Sequence, residues 1–278
     1  SVQSESAGRC AAQEAQLPFR TNPMAISLRA AARATIHSGI LVAAVAVSLA
    51  PVCAAVLGGS FGARASVVVV AGTIAVYAFD RRIDDRIERP ERSGFVARHR
   101  DQLLVLGACA GLVAVATGLF LPLDGQIVLA AVVLLALAHA WWRRVPWFKP
   151  IYIATAWGAV VVGLPVVLLD APIEVLRPVL APVGLAIVAN VLACDAVDRE
   201  AEARQVGRRW AWWIARAVAA VATAMTLAGS PDVRPLAAVP GALLLALVPY
   251  RPRGAYTPIL DGALGVGAWV AWWLVRGP

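Results

Sequence analysis

Two short acidic stretches, each directly after a long apolar run, carry the residues best suited to chemistry. In the first, Asp80 and Asp84 are four residues apart, so both carboxylates leave one face of a helix. In the second, Asp195, Asp198 and Glu202 again share a single helix face. Carboxylates at the end of an apolar helix are costly to bury unless arginine or a metal ion meets them. The two clusters together predict one shared site for divalent metal.

Magnesium is the ion that this set of ligands favours. It takes oxygen ligands, commonly one or two carboxylates together with substrate phosphates. The three histidines are far apart and the four cysteines form no CxxC pair, so zinc is not expected. A substrate with a diphosphate head and a long apolar tail fits, because burying the tail gains about 0.8 kcal/mol per carbon. The ordinary alternative is that both stretches are solvated loop ends with local ion pairs.

The composition indicates which elements position these carboxylates. The chain has 278 residues, of which 60% are hydrophobic and 15% charged, and its mean hydropathy is +0.73, as is typical of a polytopic membrane protein. We expect an all-α fold in which a polar stretch, residues 1–23, is an arm or a remnant before a natural start at Met24, followed by one membrane domain, 24–278. Nine segments have roughly the length of a membrane-spanning helix. They are Ile36–Leu57, Ala63–Phe79, Leu103–Leu121, Ile127–Trp142, Ile151–Leu169, Pro178–Cys194, Trp212–Ala228, Leu236–Pro249 and Tyr256–Val275.

The basic residues predict the orientation of these segments. The net charge is +8, which in a soluble protein would suggest nucleic-acid binding, but here the arginines cluster in short loops between apolar runs. Sixteen basic residues lie in the loops after even-numbered segments and three in the loops after odd-numbered ones. This asymmetry predicts an integral protein of the cell membrane whose N-terminus and acidic stretches are cytoplasmic and whose C-terminus is outside. The sixteen are Arg81, Arg82, Arg86, Arg89, Arg92, Arg98, Arg100, Arg143, Arg144, Lys149, Arg199, Arg204, Arg208, Arg209, Arg251 and Arg253; the three are Arg64, Arg177 and Arg234.

The tryptophans agree with this layout. One group flanks the predicted inner boundary and a second group flanks the outer one, which is typical of interfacial aromatic belts. Trp157 differs because it lies well inside the fifth segment, where it either packs or faces a cationic intermediate. The inner group is Trp141, Trp142, Trp147, Trp210, Trp212 and Trp213, and the outer group is Trp269, Trp272 and Trp273.

The two acidic stretches also occur in a repeated context. The second segment, its acidic end and the arginine-rich loop after it resemble the sixth segment and its loop, at an offset of about 115 residues. Two halves related by a pseudo-twofold axis along the membrane normal would bring both stretches to the same leaflet.

At these residues the chain resembles the UbiA superfamily of intramembrane prenyltransferases. The family's second Asp-rich motif matches the stretch from Asp195 to Glu202, and the back half of its first motif matches Asp80 and Asp84. Further similarity lies in the run 89–92, in the basic loop 139–152, at Trp157-Gly158 and at Asp261 in the last segment. The chain differs where the family has a leading Asn-Asp pair: Val76 and Tyr77 stand there, and longer spacing makes Asp85 an alternative to Asp84.

The resemblance implies a bundle of nine helices with a central cavity open to the cytoplasmic side. It also implies an Mg²⁺-dependent enzyme that transfers a prenyl group from an isoprenoid diphosphate to an aromatic or lipidic acceptor. The expected catalytic residues are Asp80, Asp84, Asp195, Asp198, Arg143 and Lys149. The expected metal ligands are Asp80, Asp84, Asp85, Asp195, Asp198 and Glu202. Further expected contacts to the substrate are Arg82, Arg144, Arg199, Tyr77, Trp157 and His139.

Two other functions stay open at this point. In the same fold, the altered first motif is compatible with a terpene cyclase, in which the carbocation is captured by its own chain. In another class, the chain would be a lipid-binding or transport protein without catalysis. Asp261 is the deepest acidic residue, and it either pairs with an arginine or takes part in chemistry. Transporters commonly carry such groups near the middle of the bilayer, whereas these segments are otherwise nearly free of charge.

Overall fold

The computed structural model describes residues 39–84, 98–142, 148–198, 206–250 and 256–277. The regular secondary structure in these ranges is helical, joined by short turns, and they contain no β-strand. The helices are α1 (Ile40–Val56), α2 (Ala63–Asp84), α3 (Arg100–Gly118), α4 (Leu123–Trp142), α5 (Phe148–Leu168), α6 (Leu176–Asp198), α7 (Arg208–Ala228), α8 (Ala238–Leu247) and α9 (Thr257–Arg276). Short 3₁₀ turns precede α6 at Ile173–Val175 and α8 at Arg234–Ala237.

All the predicted apolar segments overlap helices of the described chain. Six of these helical segments are long and apolar enough to cross a membrane. They are Ala63–Asp80, Arg100–Gly118, Phe148–Leu168, Ile173–Val197, Arg208–Ala228 and Thr257–Arg276. Three shorter apolar helical segments, Ile40–Val56, Leu123–Ala138 and Arg234–Leu247, coincide with the first, fourth and eighth predicted segments. The all-helical, membrane-type fold is therefore confirmed at this level.

A local change of helix type interrupts α5. Its first part, Phe148–Gly158, is α-helical, a π-helical turn follows at Ala159–Gly163, and the α-helix resumes at Leu164. Pro165 is the second residue after the π turn. Proline lacks an N–H donor and its ring clashes with the carbonyl four residues earlier, so a widened turn ahead of it relieves both problems.

The packing places α6 at the centre of the bundle. Within the membrane-length windows, 67% of Ile173–Val197 is buried but only 17% of Arg100–Gly118. Helix α6 contacts α5, α7, α8 and α9, whereas α3 packs chiefly on α2. Helix α1 packs against both α2 and α9, which joins the first and last helices of the described chain. The start of the second acidic stretch, Asp195 to Asp198, is thus carried by the most enclosed of these long helices.

Small residues allow two helix pairs to approach closely. At Gly267 of α9, a Cβ would lie 2.6 Å from the backbone oxygen of Ala238, at the start of α8. At Gly107 of α3, a Cβ would lie 2.9 Å from the Cβ of Ala78 in α2. Because lipid tails are as apolar as leucine, such close packing is a main source of association between helices in a membrane.

The tryptophan prediction is wrong for Trp212. This residue is 1% exposed, and its Nε1 donates a hydrogen bond of 3.0 Å to the carbonyl oxygen of Leu247. Its ring also lies 5.9 Å from that of Tyr256. An indole packs well in a protein core when its N–H has a hydrogen-bond partner there. Trp212 therefore lies in the core although it is near a helix end, where the sequence predicts an interfacial position. Trp210, Trp213, Trp269 and Trp273 are exposed, as expected of a belt.

Candidate active site at one end of the bundle

Several polar contacts bring the acidic end of α6 together with the ends of its neighbours. Arg208 Nε, at the start of α7, donates to the carbonyl oxygen of Ala196 in α6 at 2.8 Å. The hydroxyl of Tyr256, at the start of α9, donates to the carbonyl oxygen of Ala246 in α8 at 2.7 Å. Together with the bond from Trp212 to α8, these contacts place the ends of α6 and α8 beside the starts of α7 and α9.

An ion pair between Lys149 and Asp195 lies at this end of the bundle. Lys149 Nζ lies 3.0 Å from Asp195 Oδ1, and the two side chains are 21% and 4% exposed. Lys149 is the only lysine of the chain, and it lies on the first turn of α5. A carboxylate as enclosed as that of Asp195 needs a cation nearby, and the ammonium of Lys149 supplies one. Two predicted catalytic residues are therefore in contact.

Asp80, on α2, lies within electrostatic range of the start of α5. Its side chain is half-buried on α2, and its charge acts on Tyr152 of α5. Tyr152 follows Lys149 by three residues, so the two side chains lie on one face of α5. The Tyr152 hydroxyl donates a 2.8 Å hydrogen bond to the carbonyl oxygen of Leu135 in α4. The start of α5 thus interacts with a carboxylate of the first acidic stretch and with one of the second.

These carboxylates are suited to a hard divalent cation. Asp80 and Asp195 offer oxygen ligands, and the burial of Asp195 favours a bound positive charge. Among the described residues there is no group of three or more His, Cys, Asp or Glu side chains that could hold a metal ion. Asp84 and Asp198 lie on described helical backbone, but their side chains are outside the described part, as are Asp85 and Glu202 entirely. The magnesium site stays a prediction, since the side chains of only two of its six expected ligands, Asp80 and Asp195, are described.

The structure describes the surroundings of two of the six residues predicted to contact the substrate, Tyr77 and Trp157. Tyr77 is half-buried on α2 and packs close to the Cα of Gly39, at the start of α1. Trp157 is half-buried and packs against the hydrophobic core. The side chains of Arg82 and His139 are outside the described part, and so are Arg143, Arg144 and Arg199.

Sequence reasoning missed Asn190, a buried polar residue of α6. Its Nδ2 donates a 2.8 Å hydrogen bond to Oδ1 of Asp261 in α9, and Asn190 is 8% exposed. The signal was present, because Asn190 is the only side-chain amide in an otherwise apolar run and precedes Asp195 by five residues. The sequence left two roles open for Asp261, pairing with an arginine or taking part in chemistry. The contact described here is a different one, with the amide of Asn190.

The cavity found on α6 is remote from these residues. It has a volume of about 240 Å³ and is lined by Ile173, Leu176, Arg177, Leu180 and Ala181. Asp195 is fourteen residues beyond Ala181, or about 21 Å along the helix at 1.5 Å per residue. This cavity belongs to the opposite end of α6, and the predicted central cavity stays a prediction.

Comparisons of the chain with protein-family models, with curated proteins and with solved structures find no match.

Proposed function

We propose that the chain is an integral membrane enzyme that transfers a prenyl group from an isoprenoid diphosphate to an acceptor, with release of diphosphate. The Lys149–Asp195 ion pair at the acidic end of α6 carries this proposal. It puts a cation beside a buried carboxylate at the place where the sequence predicts a diphosphate head. Asp80, acting on Tyr152 from α2, contributes a second carboxylate at the same end of the bundle.

The chemistry follows from the residue types. Asp80, Asp84, Asp195 and Asp198 would hold Mg²⁺, with Asp85 and Glu202 in support, and the ion supplies neutralisation of the charge that develops on the leaving diphosphate. Lys149 donates hydrogen bonds to diphosphate oxygens, and Arg143 and Arg144 add positive charge. The C1–O bond breaks with its electron pair on the diphosphate, and C1 bonds to the acceptor, which loses a proton. The apolar helices exclude water from the allylic cation.

The membrane arrangement is the second part of the proposal. Each of the nine apolar helical segments crosses the bilayer, and the three shorter ones do so with flanking residues at the interfaces. The basic residues concentrate in the stretches of sequence that follow the even-numbered apolar segments, and this asymmetry supports a reaction centre on the cytoplasmic side. A prenyl chain would enter the bundle from this side, with its head at the aqueous boundary.

Release of pyrophosphate tests the proposal. Purified protein in lipid nanodiscs should release pyrophosphate from farnesyl diphosphate when Mg²⁺ is present, and EDTA should abolish the release. Asp195→Asn and Asp80→Asn should each lower the rate by about 100-fold or more, the effect of removing a group that stabilises the transition state electrostatically. Asp170→Asn is the matched control, because Asp170 is exposed in the loop between α5 and α6 and asparagine tolerates its positive φ of 49°. Unchanged release by the Asp195 and Asp80 variants would refute the site.

One sequence feature favours a terpene cyclase as the second candidate. Val76 and Tyr77 replace the pair of polar ligands expected at the start of the first motif. A cyclase would release pyrophosphate and give a cyclised hydrocarbon without any acceptor. Analysis of the products with and without added acceptor separates the two enzymes, and a protein that only binds lipid would release no pyrophosphate in either experiment.

A further inference from the structure

Two polar side chains meet at the interface between α6 and α9, and a third lies one helical turn away on α9. Asn190 contributes its amide from α6, and its Nδ2 donates to the Asp261 carboxylate at 2.8 Å. Thr257 precedes Asp261 by four residues in α9, so its hydroxyl and the carboxylate lie on the same helix face. Leu260 and Leu264, next to them on α9, are 0% and 2% exposed, so the surroundings are apolar.

Two oxygen atoms of this group are buried without a hydrogen bond. Within the described part of the chain, neither Asn190 Oδ1 nor Thr257 Oγ1 has a hydrogen-bond partner. Asn190 is more than nine-tenths buried, so bulk water does not compensate for the missing bond. Since a buried polar atom without a partner is destabilising, such an atom points to a group that the protein binds.

The atoms define the chemistry of that group. An amide oxygen, a carboxylate and a hydroxyl oxygen all accept hydrogen bonds, so the ligand must donate one. The apolar side chains around them favour a ligand whose remaining surface is apolar. A phenol or a lipidic alcohol has both properties.

The position of the group relates it to the ion pair. Asn190 precedes Asp195 by five residues, so it lies about 7.5 Å further from the acidic end of α6. If the diphosphate is held near Asp195, an acceptor must reach C1 from the side away from the leaving oxygen, within about 3.5 Å. Asn190 and Asp261 lie slightly deeper in the bundle than Asp195, where they could hold an acceptor close to C1.

We propose that Asn190, Thr257 and Asp261 bind the hydroxyl group of the acceptor substrate, an apolar phenol or alcohol. The identification of this ligand as the acceptor rests on the proposed prenyl transfer. The binding of a hydroxyl group at the α6–α9 interface does not depend on prenyl transfer, and a separate experiment measures it.

A pair of fluorinated probes tests the binding directly. 4-Fluorophenol donates a hydrogen bond and 4-fluoroanisole does not, although their shapes are similar. In ¹⁹F NMR with protein in nanodiscs, with empty nanodiscs to correct for partition into lipid, the phenol should bind at least about tenfold more tightly than the anisole. Asn190→Leu should weaken binding of the phenol about tenfold. Thr226→Val is the control, because Thr226 is also buried but its hydroxyl donates to the carbonyl oxygen of Ala222 within α7.

Each result supports or overturns the proposal. Equal binding of the two probes by the wild-type protein, or unchanged binding of the phenol by Asn190→Leu, would overturn it. If Asn190→Leu does not fold, Thr257→Val and the comparison of the two probes on wild-type protein decide. Displacement of the phenol by Na⁺ but not by choline would show a cation site and would also overturn it. Wild-type protein that binds the phenol but releases no pyrophosphate would refute the prenyl transfer alone.

Discussion

At the scale of single residues, the Lys149–Asp195 pair shows what spacing in a sequence can and cannot predict. Both residues were expected in the site, but as separate contacts to a diphosphate and a metal. They are 46 positions apart, and only the packing of α5 on α6 brings them to 3.0 Å. The use of lysine in a chain whose other basic residues are all arginine was the one local sign that this position differs.

The ion pair should contribute measurably to stability. Asp195 is 4% exposed, so removal of Lys149 leaves a buried carboxylate without its cation. We expect Lys149→Met and Asp195→Asn each to lower the free energy of unfolding by about 2 kcal/mol, and the double variant to lose about 1–2 kcal/mol less than the sum. Denaturation in mixed micelles measures the cycle, with Glu174→Gln, an exposed residue, as control. Strict additivity would mean that the two charges do not stabilise each other.

At the scale of helices, hydrophobic runs predicted where the elements lie but not how they are built. The predicted segments overlap α1 to α9, but α2 continues five residues past the predicted end at Phe79, so that Asp80 and Asp84 lie on helix as their spacing predicts. The π turn in α5 left no trace in the run 151–169 other than Pro165. The π turn relieves a clash between the ring of Pro165 and the preceding turn of the helix. A mean hydropathy contains no information about such a clash.

Because α8 and α9 are in close contact, replacing Gly267 by a larger residue should lower the stability of the protein. A Cβ at Gly267 would lie 2.6 Å from the oxygen of Ala238 and 2.7 Å from the Cα of Val239. Because both neighbours are backbone atoms, Gly267→Ala must push the helices apart, at a cost of about 1–3 kcal/mol in stability. Gly262→Ala on the same helix meets nothing within 4 Å and should be neutral or stabilise by up to about 1 kcal/mol through helix propensity. Thermal unfolding in micelles compares the two variants, and equal melting temperatures would contradict the close packing.

At the scale of the whole molecule, the sequence predicted the all-helical, membrane-type class of fold. It could not predict that α6 is enclosed while α3 is largely exposed, because both runs are apolar on all sides. In a membrane the lipid-facing and protein-facing surfaces are equally apolar, so hydropathy does not distinguish them. The same limit explains the burial of Trp212 and the polar group at Asn190, both of which depend on rotation angles and neighbours.

The orientation of α6 in the membrane can be tested with one cysteine on each side of it. Helix α6 has 23 residues, or about 35 Å, enough to cross a bilayer of about 30 Å. Asp170 and Arg209 are exposed and flank it. With the four native cysteines replaced, Asp170→Cys should react with a membrane-impermeant maleimide in intact cells, and Arg209→Cys only after permeabilisation. The reverse pattern would put the acidic end outside, where cytoplasmic diphosphate substrates could not reach it, and labelling of both from one side would show that α6 does not cross.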